Sequence, residues 1–390
     1  MAQTWLVNER KLLIAKRGDA LLRPLLPLLR AAFPAQRATS RAPERILVSE
    51  LWHIGDIVIA MPFLAALRRL FPAAKITLLA KSHARDTLAN TGLVDDVVSF
   101  EFPWTFLDED RRPSTKELLQ LPGIIRRLRR AQFDLAFDCS RDGRNHLLLF
   151  LTGAARRIGF AFGGGDYLLT DGVPVGSLDR HRTEDWLRLL EPFETDVPRC
   201  EPHLAVSDAE RSFGEAFLGR AGRAKDKVLI AVHPGGSSRL KRWSLEHFEE
   251  LARIAVAETG CQILWLIDPA GTGSGSNLPA GSIVARPSLR ELIALLSQCN
   301  LLVSNDGGPM HLAGALGVPT FAVYSWGNPE WWKPYAGPRH YSVRREDITC
   351  RPCAGQCIFS EPICLTGLDL DVVANAFRRE LGTMLGQQAF

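Results

Sequence analysis

Short apolar runs and helical patterns alternate along this chain, and the alternation runs twice. Runs at 45–48, 75–79, 97–100, 135–138 and 157–160 are separated by helical patterns at 57–70 and 118–131, with a further apolar segment at 147–151. An interval around 195–226 is rich in Pro, Asp, Glu and Arg. The alternation then restarts, with runs at 228–232, 263–267, 301–304 and 320–324 and helical patterns at 245–258, 289–297 and 309–316. Strands alternating with helices predict parallel sheets with crossover helices. Two such series in 390 residues predict two doubly wound α/β domains. Ligands of such folds bind beyond the C-terminal ends of the strands, so a central cleft is expected between the domains. The expected division is an N-terminal appendage (1–44), a first α/β domain (45–205), a second α/β domain (206–365) and a C-terminal helix within 366–390.

A hydrophobic fraction of 46% and a charged fraction of 23% are those of a soluble globular protein. The net charge of +4 is too mild for a nucleic-acid footprint. No apolar run is long enough to cross a bilayer. Lys11, Lys16, Arg17 and Asp19 interrupt the apolar N-terminus, which does not read as a secretory signal, so a cytoplasmic location is expected. In the appendage, Leu12, Leu13, Leu21, Leu22, Leu25, Leu28 and Leu29 recur with rough helical spacing between basic residues, and Pro24 and Pro27 interrupt any long helix. The segment reads either as an amphipathic piece packed on its own protein or a second copy, or as an interfacial anchor on the inner face of the membrane.

Three strand ends carry candidate chemistry. In Ser304-Asn305-Asp306-Gly307-Gly308-Pro309-Met310-His311 a buried strand ends in two glycines, Pro309 suits a first helical turn and Gly317 suits its stop. Exposed N–H groups and the helix dipole there favour a phosphate, although a plain glycine turn has the same pattern. The second is His233-Pro234-Gly235-Gly236-Ser237-Ser238, leading to Lys241-Arg242-Trp243. Lys241 reads as a phosphate partner or as a solvated lysine. The third is Glu50-Leu51-Trp52-His53-Ile54-Gly55-Asp56, where Asp56 is either a helix cap or a general base.

On these blocks the chain resembles the bacterial heptosyltransferases of glycosyltransferase family 9, which build the lipopolysaccharide inner core and have the GT-B fold. The match runs from Arg45-Ile46-Leu47-Val48 through Ile54-Gly55-Asp56-Ile57-Val58 to Pro62, with Phe71-Pro72 and Val94-Asp95-Asp96-Val97. It continues in His233-Pro234-Gly235-Gly236, Lys241-Arg242-Trp243 and His247-Phe248, and in the 304–313 block with Gly317-Val318-Pro319. The resemblance implies inverting transfer from a nucleotide sugar, typically ADP-L-glycero-β-D-manno-heptose, to a lipid-linked glycan or other envelope acceptor. It places Asp56 on the family's general base and Lys241 on its phosphate-contacting lysine. His233, Gly235, Gly236, Ser237, Asp306, Gly307, Gly308, Pro309, Met310 and His311 fall on the donor side. No metal is then needed for the chemistry, because the helix N-terminus and Lys241 carry the leaving diphosphate. His53, Gly55, Lys81 and Arg85 are expected on the acceptor side, His83 standing beside the last two. Trp52 and His53 depart from the small polar residues common before Gly-Asp in the family. A sugar-nucleotide epimerase and a noncatalytic nucleotide-sugar binding protein are the alternatives.

Other segments read two ways. The basic helix with Arg126, Arg127, Arg129 and Arg130 is either a solvated face or a surface for an anionic acceptor or membrane. Asp108-Glu109-Asp110 and Asp369-Leu370-Asp371 read as solvated charges. Cys350, Cys353, Cys357 and Cys364 suit a structural zinc or iron site, as at comparable clusters in some relatives, or remain reduced thiols or opportunistic disulfides. Cys139, Cys200, Cys261 and Cys299 read as core or incidental.

Overall fold

The computed structural model describes residues 17–36, 42–105, 115–162, 164–176, 180–193, 200–335, 339–350 and 357–386. The chain divides into two compact units, Met1–Cys200 and Glu201–Phe390.

The first unit is built on six parallel strands: β1 (Arg45–Ser49), β2 (Lys75–Ala80), β3 (Asp96–Ser99), β4 (Leu135–Asp138), β5 (Arg156–Phe160) and β6 (Asp171–Val173), in the order β3-β2-β1-β4-β5-β6. The second unit has β7 (Leu229–His233), β8 (Gln262–Leu266), β9 (Ile283–Ala285), β10 (Leu301–Asn305), β11 (Thr320–Val323) and β12 (His340–Val343), in the order β12-β11-β10-β7-β8-β9, again all parallel. Both sheets therefore wind the same way. The order reverses between β1 and β4 in one and between β7 and β10 in the other, and the crevice outside such a reversal is where open α/β sheets bind ligands.

Central strands covered on both faces need apolar residues throughout. Ile46, Leu47, Val48, Leu301, Leu302 and Val303 are accordingly buried. Phe63 meets Phe137 edge-on at 5.3 Å in the first core, and Phe321 meets Phe377 at 5.0 Å in the second. Each such ring contributes roughly 1.5–3 kcal/mol by burial.

The apolar segment at 147–151 belongs to a helix, Gly143–Thr152, capped by Asp142 and stopped by Gly153 at φ 77°, a left-handed angle that suits glycine. The charged interval after residue 200 holds a helix as well. Asp208–Arg220 starts from a reciprocal Ser207–Glu210 capping box, and Glu210 also takes a bidentate contact from Arg290 at 2.6 and 2.7 Å. Those bonds hold the Glu210 carboxyl down to about 2. Gly214 lets this helix close on Leu289–Leu296: a Cβ there would stand 3.0 Å from the Ala294 carbonyl oxygen. Asp369 caps the last helix, Leu370–Met384, by accepting from the Asp371 N–H, so it works on backbone as well as meeting solvent.

Residues 17–22 are helical and continue through Arg23–Leu25 into Leu26–Ala32. The Asp19 carboxylate ties this stretch to the first unit by accepting from the Gly165 N–H at 3.0 and 3.1 Å. Leu12 and Leu13 lie outside the described residues, as do Asp108-Glu109-Asp110 and Cys353.

Candidate functional site

In the second unit, two loops leave adjacent strands at the reversal point. β7 ends in His233 and runs into Pro234-Gly235-Gly236; β10 ends in Asn305 and runs through Asp306 and Gly307 into the helix Gly308–Ala315. Asn305 joins the loops. Its Nδ2 donates to the carbonyls of Pro234 (2.8 Å) and Gly235 (3.1 Å), and its Oδ1 accepts from the Trp243 N–H at 3.0 Å. An amide is the one short side chain that can both donate and accept in this way. Gly235 is needed for close packing, because a Cβ there would lie 2.9 Å from the His233 ring and 3.1 Å from Asp268. Burial pushes His233 down to about 4, against the opposing Asp268 carboxylate, so the ring is neutral near pH 7.

Pro309 stands in the first turn of Gly308–Ala315, where its missing N–H costs no helical bond. The N-cap Gly307 is extended, and a Cβ on it would meet nothing closer than 3.9 Å, so the ground before the helix N-terminus is open. Lys241 reaches that ground: its Nζ lies 3.1 Å from Asp306 Oδ2 and 5.2 Å from the centroid of the Trp326 ring. Lysine and carboxylate are 18% and 6% exposed. Gly327 leaves room for the carboxylate, since a Cβ there would come within 2.9 Å of Asp306 Oδ2. Behind the helix, Met310 and His311 are buried, and the Tyr324 hydroxyl donates to Met310 Sδ at 3.3 Å. Burial holds His340, beneath Tyr324, at about 3.

Asn305 and the Lys241–Asp306 pair thus join the 233–241 loop to the start of the helix Gly308–Ala315. Sequence reasoning missed Asn305, which lies inside the quoted block but reads there as a strand end.

In the first unit, the turn after β1 is an acidic counterpart. His53 is the N-cap of the helix Ile54–Leu70, and Asp56 at its third position accepts from the His53 N–H at 3.0 Å. Asp56 is therefore half of a capping box, and Gly55 is buried beside it. Glu50, also buried, accepts from the Trp52 N–H at 3.3 Å. Burial above all, then the carboxylates of Asp56 and Asp138, holds the Glu50 carboxyl well above its ordinary value. Asp138, at the end of β4, is fully buried 3.3 Å from His146; burial raises its carboxyl and the histidine opposes the shift.

Beyond β4, Asp185 is shared by two guanidiniums, Arg141 at 2.6 Å and Arg182 at 2.7 Å, all three nearly inaccessible. Burial and the neighbouring Arg182 lower Arg141 to about 10. The Thr183 hydroxyl donates to the Ile59 carbonyl at 2.8 Å and fixes this cluster against the helix Ile54–Leu70. Asp138, His146, Arg141, Arg182 and Asp185 carried no motif signal, and Arg141 meets Asp185 only across 44 residues of chain.

The cations expected on the acceptor side also make bonds within the fold. Arg85 donates to the Val97 carbonyl at 2.7 Å. Lys81 is buried and donates to the Thr105 carbonyl at 3.1 Å, with Glu101 at 3.9 Å. The His83 ring is 3.2 Å from the Trp52 carbonyl, and burial lowers its basicity.

Cys350, Cys357 and Cys364 line one apolar pocket with Trp326, Ile348, Ile358, Phe359 and Ile363. Among the described residues no three His, Cys, Asp or Glu side chains are grouped to hold a metal ion. Cys139, Cys261 and Cys299 are buried free thiols.

The family model "Glycosyltransferase family 9 (heptosyltransferase)" matches residues 123–361. The chain is similar to the lipopolysaccharide core heptosyltransferase OpsX of Haemophilus influenzae, 22% identical over 309 residues, covering 76% of this chain and 83% of that protein. Its fold is similar to the crystal structure of the family 9 glycosyl transferase from Veillonella parvula, with a TM-score of 0.70 at 22% identity, covering 90% of this chain and 99% of the other. It is also similar to E. coli heptosyltransferase WaaC with ADP-2-deoxy-2-fluoro heptose, with a TM-score of 0.63 at 16% identity, covering 86% and 99%. The two six-stranded parallel sheets are those of the GT-B fold.

Proposed function

This chain belongs to glycosyltransferase family 9, the heptosyltransferases, and from that premise we propose that it moves heptose, with inversion, from ADP-L-glycero-β-D-manno-heptose to a hydroxyl of the lipopolysaccharide inner core or a related envelope acceptor. The observation that carries the donor side is the Lys241–Asp306 pair before the open N-terminus of Gly308–Ala315. A diphosphate placed there takes hydrogen bonds from the first N–H groups of the helix, meets the positive end of its dipole and receives Lys241 from Asp306. As the glycosidic bond breaks, negative charge grows on the departing ADP, and the same groups stabilise it. The WaaC structure with an ADP-heptose analogue supports the choice of donor.

Asp56 is the proposed base. One of its oxygens is fixed by the His53 N–H. A carboxylate is a group that can take the acceptor hydroxyl's proton as that hydroxyl oxygen bonds to the anomeric carbon. Burial raises the carboxyls of Glu50 and Asp138 in the same turn region, with His146 opposing the shift at Asp138. The proposed step uses no metal.

A structural zinc or iron bound by Cys350, Cys353, Cys357 and Cys364 is a further part of the proposal. Three of these thiols share one apolar pocket, and thiolates are the ligands that such ions prefer. The proposed place of action is the cytoplasmic face of the envelope, in peripheral contact with the membrane.

The test is transfer of labelled heptose from ADP-heptose to purified inner-core acceptors. Label in the acceptor, with ADP released in equal amount, is the expected outcome. Turnover of donor without acceptor, or binding without turnover, would overturn the proposal.

A further inference from the structure

We infer that the N-terminal leucine segment and the adjoining basic helix form a docking surface for anionic bilayers. The inference deepens the peripheral-contact reading above and is independent of the transfer chemistry. In the helical stretch from residue 17 to Ala32, Leu21, Leu25 and Leu28 recur at i, i+4 and i+7, and they are 74%, 47% and 69% exposed. Neither Arg23–Leu25 nor Leu26–Ala32 buries a residue. A contiguous leucine stripe turned to water is costly, unlike scattered exposed leucines, and marks a contact surface.

The segment is nevertheless held in place. Asp19 accepts from the Gly165 N–H, the Gln36 N–H donates to the Gly153 carbonyl at 2.9 Å, and Arg129 donates to the Pro34 carbonyl at 2.7 Å. The Arg129 guanidinium also stands 5.8 Å from the Phe33 ring centroid. The Arg129 contacts join the end of the leucine stretch to the helix Thr115–Arg130. That helix presents Leu119, Arg126 and Arg130 at i, i+7 and i+11, all exposed. Arg127 is exposed too but faces Asp96 at 3.7 Å. Arg17, Arg23 and Arg30 are exposed around the leucines.

Charge decides the occupant. A second copy on a two-fold axis would bring the same arginine-rich face against itself. Phosphatidylglycerol headgroups complement it, and the leucines then enter the acyl boundary while the arginines stay at the headgroups. No helix among the described residues is long and apolar enough to cross the membrane, so contact is in the interfacial plane.

Co-sedimentation of the full chain with vesicles tests this. Binding should be at least roughly tenfold tighter to equal parts phosphatidylglycerol and phosphatidylcholine than to phosphatidylcholine alone, since each basic residue at an anionic surface contributes about fivefold. Two variants, Leu21→Glu with Leu28→Glu and Arg126→Glu with Arg130→Glu, should each lose about tenfold or more of that binding. ADP affinity and thermal unfolding, measured alongside, should stay at wild-type values and so separate this surface from the donor site. Wild-type protein that ignores the anionic vesicles, or variants that bind them equally well, would overturn the inference. So would light scattering that shows a wild-type dimer split by the leucine variant, which would assign the face to a second copy.

Discussion

Replacing Lys241 by Met keeps the stem beside Trp326 and removes only the charge. Two effects then oppose ADP. A charge-assisted bond to a phosphate oxygen contributes roughly 1.5–3 kcal/mol. Asp306, 6% exposed and left without its cation, also repels the incoming phosphate. For unit charges about 4 Å apart that repulsion lies between roughly 1 kcal/mol in water and roughly 4 kcal/mol at a partly buried surface. The smaller estimates sum to about 2.5 kcal/mol, so the Kd for ADP should rise at least about fiftyfold. The second effect can be cancelled: adding Asp306→Asn to Lys241→Met should recover at least about fivefold. Isothermal titration calorimetry with ADP on wild type, both single variants and the double variant closes the cycle. If Lys241→Met binds ADP within about threefold of wild type, Lys241 is not a diphosphate ligand. A double variant no tighter than Lys241→Met would show that Asp306 exerts no field on the donor.

Four further outcomes follow from the same geometry. Asp56→Asn should reduce transfer by roughly 10²–10⁴-fold while ADP affinity holds, and residual turnover near wild type in a labelled-heptose assay would remove Asp56 as the base. Asn305→Ala leaves the Trp243 N–H and the Pro234 and Gly235 carbonyls without a partner, so urea unfolding should show a loss of roughly 2–5 kcal/mol, with weakened ADP binding; a loss below about 1 kcal/mol would refute its joining role. Glu210 has its folded-state value depressed from 4.5 to about 2, so its bond to Arg290 stabilises the fold above about pH 4.5 and ceases to do so as pH falls toward 2. Arg290→Met should therefore cost roughly 1–2 kcal/mol near pH 7, allowing for solvent screening, and progressively less below pH 4.5; a difference from wild type that is flat between pH 7 and 3 would contradict this. Elemental analysis of protein purified under reducing conditions should find about one zinc or iron per chain, lost on Cys357→Ser; none in the wild type would dispose of the metal proposal.

The central strands were legible because sheets covered on both faces demand unbroken apolar runs, as at 45–48 and 301–304. The edge strands β6, β9 and β12 were not. Asp171-Gly172-Val173 is too short and too polar to signal a strand, and Val284 in β9 is half exposed. The glycine-rich strand ends pointed to a donor cradle because glycine turns and helix starts are written in adjacent residues. What joins those turns was not readable: Asn305 reaches carbonyls 70 and 71 residues away. The same distance hid the Arg141–Asp185–Arg182 cluster, whose first pair spans 44 residues. Lys81 and Arg85 were singled out by residue type and position alone, and their bonds to the Thr105 and Val97 carbonyls were not legible.

The shared winding of the two sheets has a consequence for how this architecture diversifies. β1 and β7 hold the same position in their sheets, as do β4 and β10. Their C-terminal ends are equivalent sockets, yet one pair is filled by Glu50, Asp56 and Asp138 and the other by glycine turns, Asn305 and Lys241. Backbone topology fixes where a ligand-bearing loop emerges and leaves the sign of its charge to a few residues beyond each strand. Opposite chemistries can thus be exchanged at those sockets without rewinding either sheet.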